Sequence, residues 1–377
     1  MRLAIALSTW VRILPVAGLL GTAGACQGAG DAGPAVQDTS AGWLGPSSDN
    51  LLALAAAEDL PPAADSFVPL DLATPDGSGE VVHPDVAPLD GSWLGWRYWM
   101  AVTPYPRITG VAPDRHENPM VVVSNNGVWW ATPRAMRNPV AWPTRDSHLS
   151  DPDLAYDPAS GTLRLYYRET GGTTDQIRLQ SSADGRTWNT PQTVLSAGAG
   201  TLMSPAVARD TVWRMWTVLA DAAGCRASFT ATMLRTSPDG TRWTAPRRVD
   251  MAPRGHLAWH LDAQWVPAVR QFWALVAAYP VGGSCAGTDL FFAVSGDGAT
   301  WQVYGRPLWR RAEAPLYAQA VYRSTFHYDA NRDEVTVWMS GQGPGGWRVA
   351  AVRWARAAMM LRIGAAPSAF TGTRPPL

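Results

Sequence analysis

Through residues 151–249 apolar and polar positions alternate in short runs separated by turn-forming residues. One stretch reads "DPDLAYD", "TLRLYYRE", "QIRLQSS" and "WNTPQTVL". The next reads "SPAVARD", "TVWRMWTVL", "SFTATMLRTS" and "WTAPRRV". Each run is rich in β-branched or aromatic residues with the two-residue period of a strand. No stretch of comparable length carries the 3.6-residue period of an amphipathic helix. Between the third and fourth runs stands the pattern Ser-x-Asp/Asn-Gly-x-x-Trp. It occurs as Ser124-Asn126-Gly127-Trp130, Ser182-Asp184-Gly185-Trp188, Ser237-Asp239-Gly240-Trp243 and Ser295-Asp297-Gly298-Trp301, at spacings of 58, 55 and 58 residues. A near-constant period of this size marks stacked supersecondary units, and four strands per unit make each one a propeller blade.

Aligning the first strand of each unit gives five blades, opening at His83, Asp151, Ser204, His260 and Arg323. The predicted fold is all-β, a five-bladed β-propeller of four-stranded antiparallel blades over residues 76–356. The fifth blade has strands at 321–328, 334–340 and 347–355 but no Asp-Gly turn. Its outer strand is expected from "SFVPLDL" (66–72) or, alternatively, from "MMLRI" (359–363) in the C-terminal tail, 357–377.

The N-terminus has a different character. Arg2 and Arg12 accompany an apolar run, Ile13 to Leu20, that is too short to span a bilayer and is followed by small residues. Residues 1–25 read as an export signal. Ala23-Gly24-Ala25-Cys26 resembles the lipobox of bacterial lipoproteins, which implies lipidation of Cys26 and attachment to the cell envelope, with ordinary secretion as the alternative. Residues 26–75 are rich in Ala, Gly, Pro, Ser and Asp, the composition of a tether that cannot bury enough apolar surface to fold. The membrane is expected as a partner only through that anchor. Cys225 and Cys285 occupy equivalent positions in consecutive repeats, so an exported chain is expected to join them in a disulfide.

Composition narrows the function. The 31 basic and 31 acidic side chains cancel, which gives no electrostatic footprint for nucleic acid. The 20 Trp and 10 Tyr suit strand packing and also the stacking of sugar rings. A monomer acting on or binding glycans fits these features.

The candidate chemistry lies where inner strands meet the axis. The pairs His83/Asp85, Asp151/Asp153, Ser204/Ala206, His260/Asp262 and Arg323/Thr325 are each two residues apart, so both members lean to the same side. Such a charged cluster is poor core material and suits a polar ligand or an ion. No cofactor is required by it, but its oxygens suit a hard cation such as Ca²⁺ on the axis.

"HPDV" and "SDPDLAYD" on inner strands of a five-bladed ring resemble the arabinanase–invertase–levansucrase superfamily of glycosidases. The turns are similar to the Asp-box of sialidases with one residue fewer, where the box is structural. The glycosidase resemblance implies Asp85 as base or nucleophile, Asp153 as its partner, and an acidic residue from the third blade as proton donor. The third blade has no Glu; its positions are Ser204 and Ala206. The donor is therefore sought at Glu117 or Glu169. His83, Asp151, Arg168, Ser204, His260, Asp262 and Arg323 are expected to bind substrate, with Tyr98, Trp99 or Tyr105 stacking at the rim. A non-catalytic glycan-binding or protein-binding propeller is the alternative, and a sialidase fits less well because few Arg reach the funnel.

Overall fold

The computed structural model describes residues 67–365, apart from residues 88, 90, 91, 108–112, 144–146 and 314–316. The signal expected at 1–25, Cys26, the tether as far as residue 66 and the tail beyond 365 lie outside the described residues. The chain begins with β1 (Val68–Pro69) and then builds blades in order. Blade one holds β2 (Val81–Val86), β3 (Tyr98–Pro104) and β4 (Met120–Ser124), with Ala131 bridging Val123 at its outer edge. Blade two holds β5 (His148–Asp157), β6 (Thr162–Gly171), β7 (Thr174–Ser182) and β8 (Gln192–Gly198). Blade three holds β9 (Met203–Arg209), β10 (Trp213–Ala220), β11 (Thr230–Ser237) and β12 (Arg247–Val249). Blade four holds β13 (His256–Val266), β14 (Gln271–Pro280), β15 (Asp289–Ser295) and β16 (Gln302–Val303). Blade five holds β17 (Ala320–Val321), β18 (Thr325–Asp329), β19 (Glu334–Gly343) and β20 (Gly346–Ala355). Each blade pairs antiparallel from the axis outward.

The ring is closed by the N-terminal segment. Val68 pairs with Ala351 and Pro69 with Ala350, and the Leu70 amide donates to Val349 O at 2.9 Å. Leu70 and Leu72 are buried beside it, so the expected tether gives way to propeller before residue 75. An apolar segment docked on an outer strand covers an edge that would otherwise pair with another chain. Residues 359–363 do not supply that strand. They lie in helix α1 (Arg356–Ile363), which buries Met359, Met360 and Ile363 against the core of the last two blades. Gly364, at φ +75°, ends it by returning its amide to Leu361 O.

The repeated turn is a backbone device. Asp184 Oδ1 accepts the amides of Arg186 and Thr187 at 2.9 and 2.7 Å; Asp239 and Asp297 do the same in their copies. Gly185 takes φ +67°, where a side chain is costly. Each turn is stitched to the second strand of the preceding blade. Tyr166 Oη donates to Gly240 O at 2.9 Å and Trp216 Nε1 to Gly298 O at 2.8 Å. Trp338 Nε1 donates to Gly127 O, and the ring of Trp99 fills the space under Gly185.

Strand direction defines two faces. First and third strands run together, so the Asp-Gly turns lie on the face where inner strands end in hairpins, here the hairpin face. The opposite, leading face carries the starts of the inner strands and the loops after β10 and β14. On it Cys225 and Cys285 form a disulfide, with Cα atoms 4.9 Å apart, and Tyr279 Oη donates to Ala227 O at 3.0 Å.

Candidate functional site: two polar layers on the propeller axis

Three inner strands are distorted at one equivalent position. His83, Asp151 and Ser204 have φ of +55°, +51° and +48°, and each precedes a proline. Strand pairing slips by a residue at Val82/Asp85 and at Ser150/Asp153, and again at Ala258/His260 in blade four. A left-handed non-glycine residue costs about 1–3 kcal/mol and persists only where its surroundings enforce it. Bulges of this kind re-aim side chains, and here they turn three of them onto the axis.

The result is a layer near the leading face. Asp151 Oδ1 lies 3.3 Å from His83 Nε2 and 3.3 Å from His260 Nδ1. All three atoms are buried and have no hydrogen-bond partner. The rest of each side chain is tied down. Asp151 Oδ2 accepts the Ser204 amide at 3.2 Å and the Ser150 hydroxyl at 3.3 Å, with Arg168 at 3.9 Å. His83 Nδ1 faces Thr103 Oγ1 at 3.2 Å and Glu117 Oε1 at 3.6 Å. The His260 ring packs on Tyr322 at 4.3 Å between centroids. Burial lowers the pKa of His83 to about 4 despite the pull of Asp151, and burial likewise takes His260 well below its ordinary value. Burial opposes ionisation of Asp151, yet His83, His260, Arg168 and Arg323 outweigh it and the net direction is down. His83 Nε2, Asp151 Oδ1 and His260 Nδ1 thus lie within 4.8 Å of one another, a donor set suited to a divalent cation.

One step further along the same strands lies a second layer, Asp85, Asp153 and Asp262, whose carboxylate oxygens also converge. Fully buried Arg323 places Nη2 3.4 Å from Asp85 Oδ1 and 3.2 Å from Asp153 Oδ2. Asp85 Oδ2 accepts the Leu154 amide at 2.7 Å, and Gln264 Nε2 donates to Asp262 Oδ2 at 3.1 Å. Burial, then Asp153, raises the Asp85 pKa to about 8 against the pull of Arg323. Burial raises Asp153 to about 8 as well, with Asp262 adding to it.

The other expected site residues divide. Glu117 stands on the leading face, 3.8 Å from half-exposed His148 Nε2 as well as beside His83. Glu169 is on the same face, near the end of β6, accepting from Ser147 Oγ at 2.8 Å with Arg178 at 3.6 Å. Arg168 reaches Asp175 at 2.9 Å. Ser204 Oγ is occupied in a two-way bridge to the backbone of Leu261, at 3.1 and 3.0 Å. Tyr105 packs on Trp347 near the leading face. Tyr98 and Trp99 are not rim residues: second strands start at the hairpin face, and both are buried there beneath turns. His148, Thr103 and Tyr322 were not foreseen as site residues. The shared signal was in view, because His83, Asp151 and His260 occupy one position in three blades.

No family model matches the chain. The fold defines a class, the five-bladed β-propellers. The chain is similar to the A type blood N-acetyl-alpha-D-galactosamine deacetylase of Flavonifractor plautii, 26% identical over 314 residues. That match covers 69% of this chain and 40% of the relative, so the chain spans about two-fifths of the relative's length. The crystal structure of an N-acetylgalactosamine deacetylase from F. plautii with blood group B trisaccharide superposes with a TM-score of 0.68 at 22% identity, covering 80% of this chain and 95% of that one. A GH43_1 enzyme from Xanthomonas citri gives 0.54 at 10% identity, covering 77% and 91%. At these identities the structural likeness shows the shared fold.

Proposed function

We propose that the chain is a glycan-modifying hydrolase that removes the acyl group from an N-acetylated amino sugar, with the reaction at the His83–Asp151–His260 layer. The observation that carries this reading is the convergence of three buried, unpartnered donor atoms at the leading face. The similarity to a sugar deacetylase supports the reaction type. A transition-series divalent cation held by His83 Nε2, Asp151 Oδ1 and His260 Nδ1 would supply a Lewis acid for the amide carbonyl. Two nitrogens and one oxygen suit such an ion better than Ca²⁺, which takes six to eight oxygens.

The protein's own groups have separable tasks. Ser204 and Ser150 fix Asp151 so that one oxygen stays directed at the histidines. Thr103 and Glu117 orient the His83 ring through its far nitrogen, the support that metal-binding histidines usually receive. Glu117, with its second oxygen toward His148, would take a proton from the water that attacks the amide carbonyl and pass it to the nitrogen as the C–N bond breaks, leaving acetate and a free amine. Glycosidic cleavage by the usual route instead needs two carboxyl groups flanking the bond, one of them protonated. The third blade offers Ser204, already bonded at both ends, and Ala206. Release of acetate from N-acetylhexosamine-terminated glycans, with the glycan otherwise intact, tests this reading.

Export and anchoring through Cys26 form part of the same proposal. The Cys225–Cys285 disulfide supports an oxidising compartment. Metabolic labelling with a radioactive fatty acid should mark the protein but not a Cys26→Ser variant, and labelling of both or neither removes the anchor.

A further inference from the structure

Asp175 is an unusual residue for its place. It stands near the leading-face start of β7, paired with Thr170 on one side and Ala197 on the other, and is fully buried. Aspartate is disfavoured within strands, and a buried carboxylate is costly unless it is bonded. Its bonds lead back to the His83–Asp151–His260 layer. Asp175 Oδ1 accepts from Arg168 Nη2 at 2.9 Å, and Arg168 Nη1 lies 3.9 Å from Asp151 Oδ2. Asp175 Oδ2 accepts the amides of Thr201 and Leu202 at 3.1 and 3.3 Å, which fixes the segment running into Ser204. Ser204, held at φ +48°, gives its amide to the same Asp151 oxygen. Its hydroxyl bridges the backbone of Leu261, the neighbour of His260. Two arms from one carboxylate thus close on Asp151, and one of them continues to the strand of His260.

We propose that Asp175, bonded to none of the three donor atoms, is the positioning residue that sets their spacing, through Arg168 on one side and the 201–204 segment on the other. The inference rests on the reading of that layer as a metal centre. Blade three supplies no donor to the layer, yet Ser204 keeps the left-handed backbone of His83 and Asp151. That strain is explained if Ser204 is a brace and not a ligand. Outer groups that orient metal ligands typically govern affinity about 10- to 100-fold. Asn in place of Asp175 has the same shape but one acceptor oxygen. With that oxygen toward the Thr201 and Leu202 amides, its NH2 faces the Arg168 guanidinium, donor against donor. Turned over, the NH2 faces the amides, and one arm is lost in either case.

The test is titration of the full chain, stripped with chelator, with Zn²⁺ against a chromogenic competitor, and with Co²⁺ to record its ligand-field band. Neither measurement needs turnover. The parent should bind one ion per chain. Asp175→Asn should bind about 10- to 100-fold more weakly, with a Co²⁺ band changed in position or intensity at saturation. Arg168→Lys keeps the charge but not the planar fork, and should weaken binding about tenfold. It decides the matter if Asp175→Asn does not fold. Gly185→Ala, on the hairpin face, should lower stability and leave the affinity unchanged. A parent that binds no divalent ion overturns the metal reading and this inference with it. Metal binding by the parent with affinity unchanged in Asp175→Asn, or in Arg168→Lys, overturns the inference alone. So does weaker binding with an unaltered Co²⁺ band, which is a charge effect, or an equal loss in Gly185→Ala, which is a loss of fold.

Discussion

Trp338, in the second strand of the last blade, donates its indole N–H to the carbonyl oxygen of Gly127 in the turn of the first, at 2.7 Å. The two residues are 211 positions apart, and their bond ties the ring shut beside the β1–β20 pairing. Trp338 is fully buried against Tyr98 and Trp130. Trp338→Phe removes the bond and leaves a gap, and should cost about 2 kcal/mol. The melting temperature should fall by several degrees.

Gly185 and Gly161 share a backbone conformation, φ +67° and +66°, but not surroundings. A Cβ at 185 would overlap the Trp99 ring, whereas at 161 it meets nothing within 4 Å. Gly161→Ala should therefore cost only the left-handed strain, about 1–2 kcal/mol. Gly185→Ala should cost clearly more, because the buried indole must shift. Equal losses in denaturant titrations would contradict the packing of turn onto neighbouring blade.

The disulfide spans a sequence separation of 60 and joins neighbouring blades. Replacing both cysteines by Ser, or reducing the protein, should lower stability by about 2–4 kcal/mol. A melting temperature indifferent to reductant would show that the bond is not formed.

Acid should loosen the turns. Backbone amide bonds, first from Thr187 and Thr300 respectively, lower the pKa of Asp184 and Asp297 to about 2. A depressed carboxylate contributes stability above its unfolded value near 4, and that contribution is lost as pH falls through the folded value. Melting temperature should decline between about pH 4 and pH 2. Asp184→Asn should be less stable than the parent at pH 7, and the difference should shrink toward pH 2.

Much of this was legible in the chain because the turn makes two local demands. Asp184 must accept amides two and three residues ahead, and Gly185 must take a positive φ, so the motif repeats wherever the turn does. The staples were not legible. Tyr166 meets Gly240 across 74 residues, and no local pattern marks that pairing. For the site, two-residue spacing placed His83 with Asp85 and Asp151 with Asp153 on the axis. It did not separate the layers, since that depends on Arg323 choosing Asp85 and Asp153 and leaving Asp151 to the histidines. Trp99 was misplaced at the rim because the direction of β3 puts its first residues on the hairpin face.

The most direct test of the central claim is to incubate the purified protein, loaded with a divalent transition-metal ion, with a glycan ending in N-acetylgalactosamine, and to identify the product by mass. The account predicts acetate and an otherwise intact glycan bearing a free amine. It also predicts loss of at least about a hundredfold in rate with chelator or in His260→Ala. Release of a monosaccharide with its acetyl group in place would contradict it, as would deacetylation indifferent to both chelator and His260→Ala.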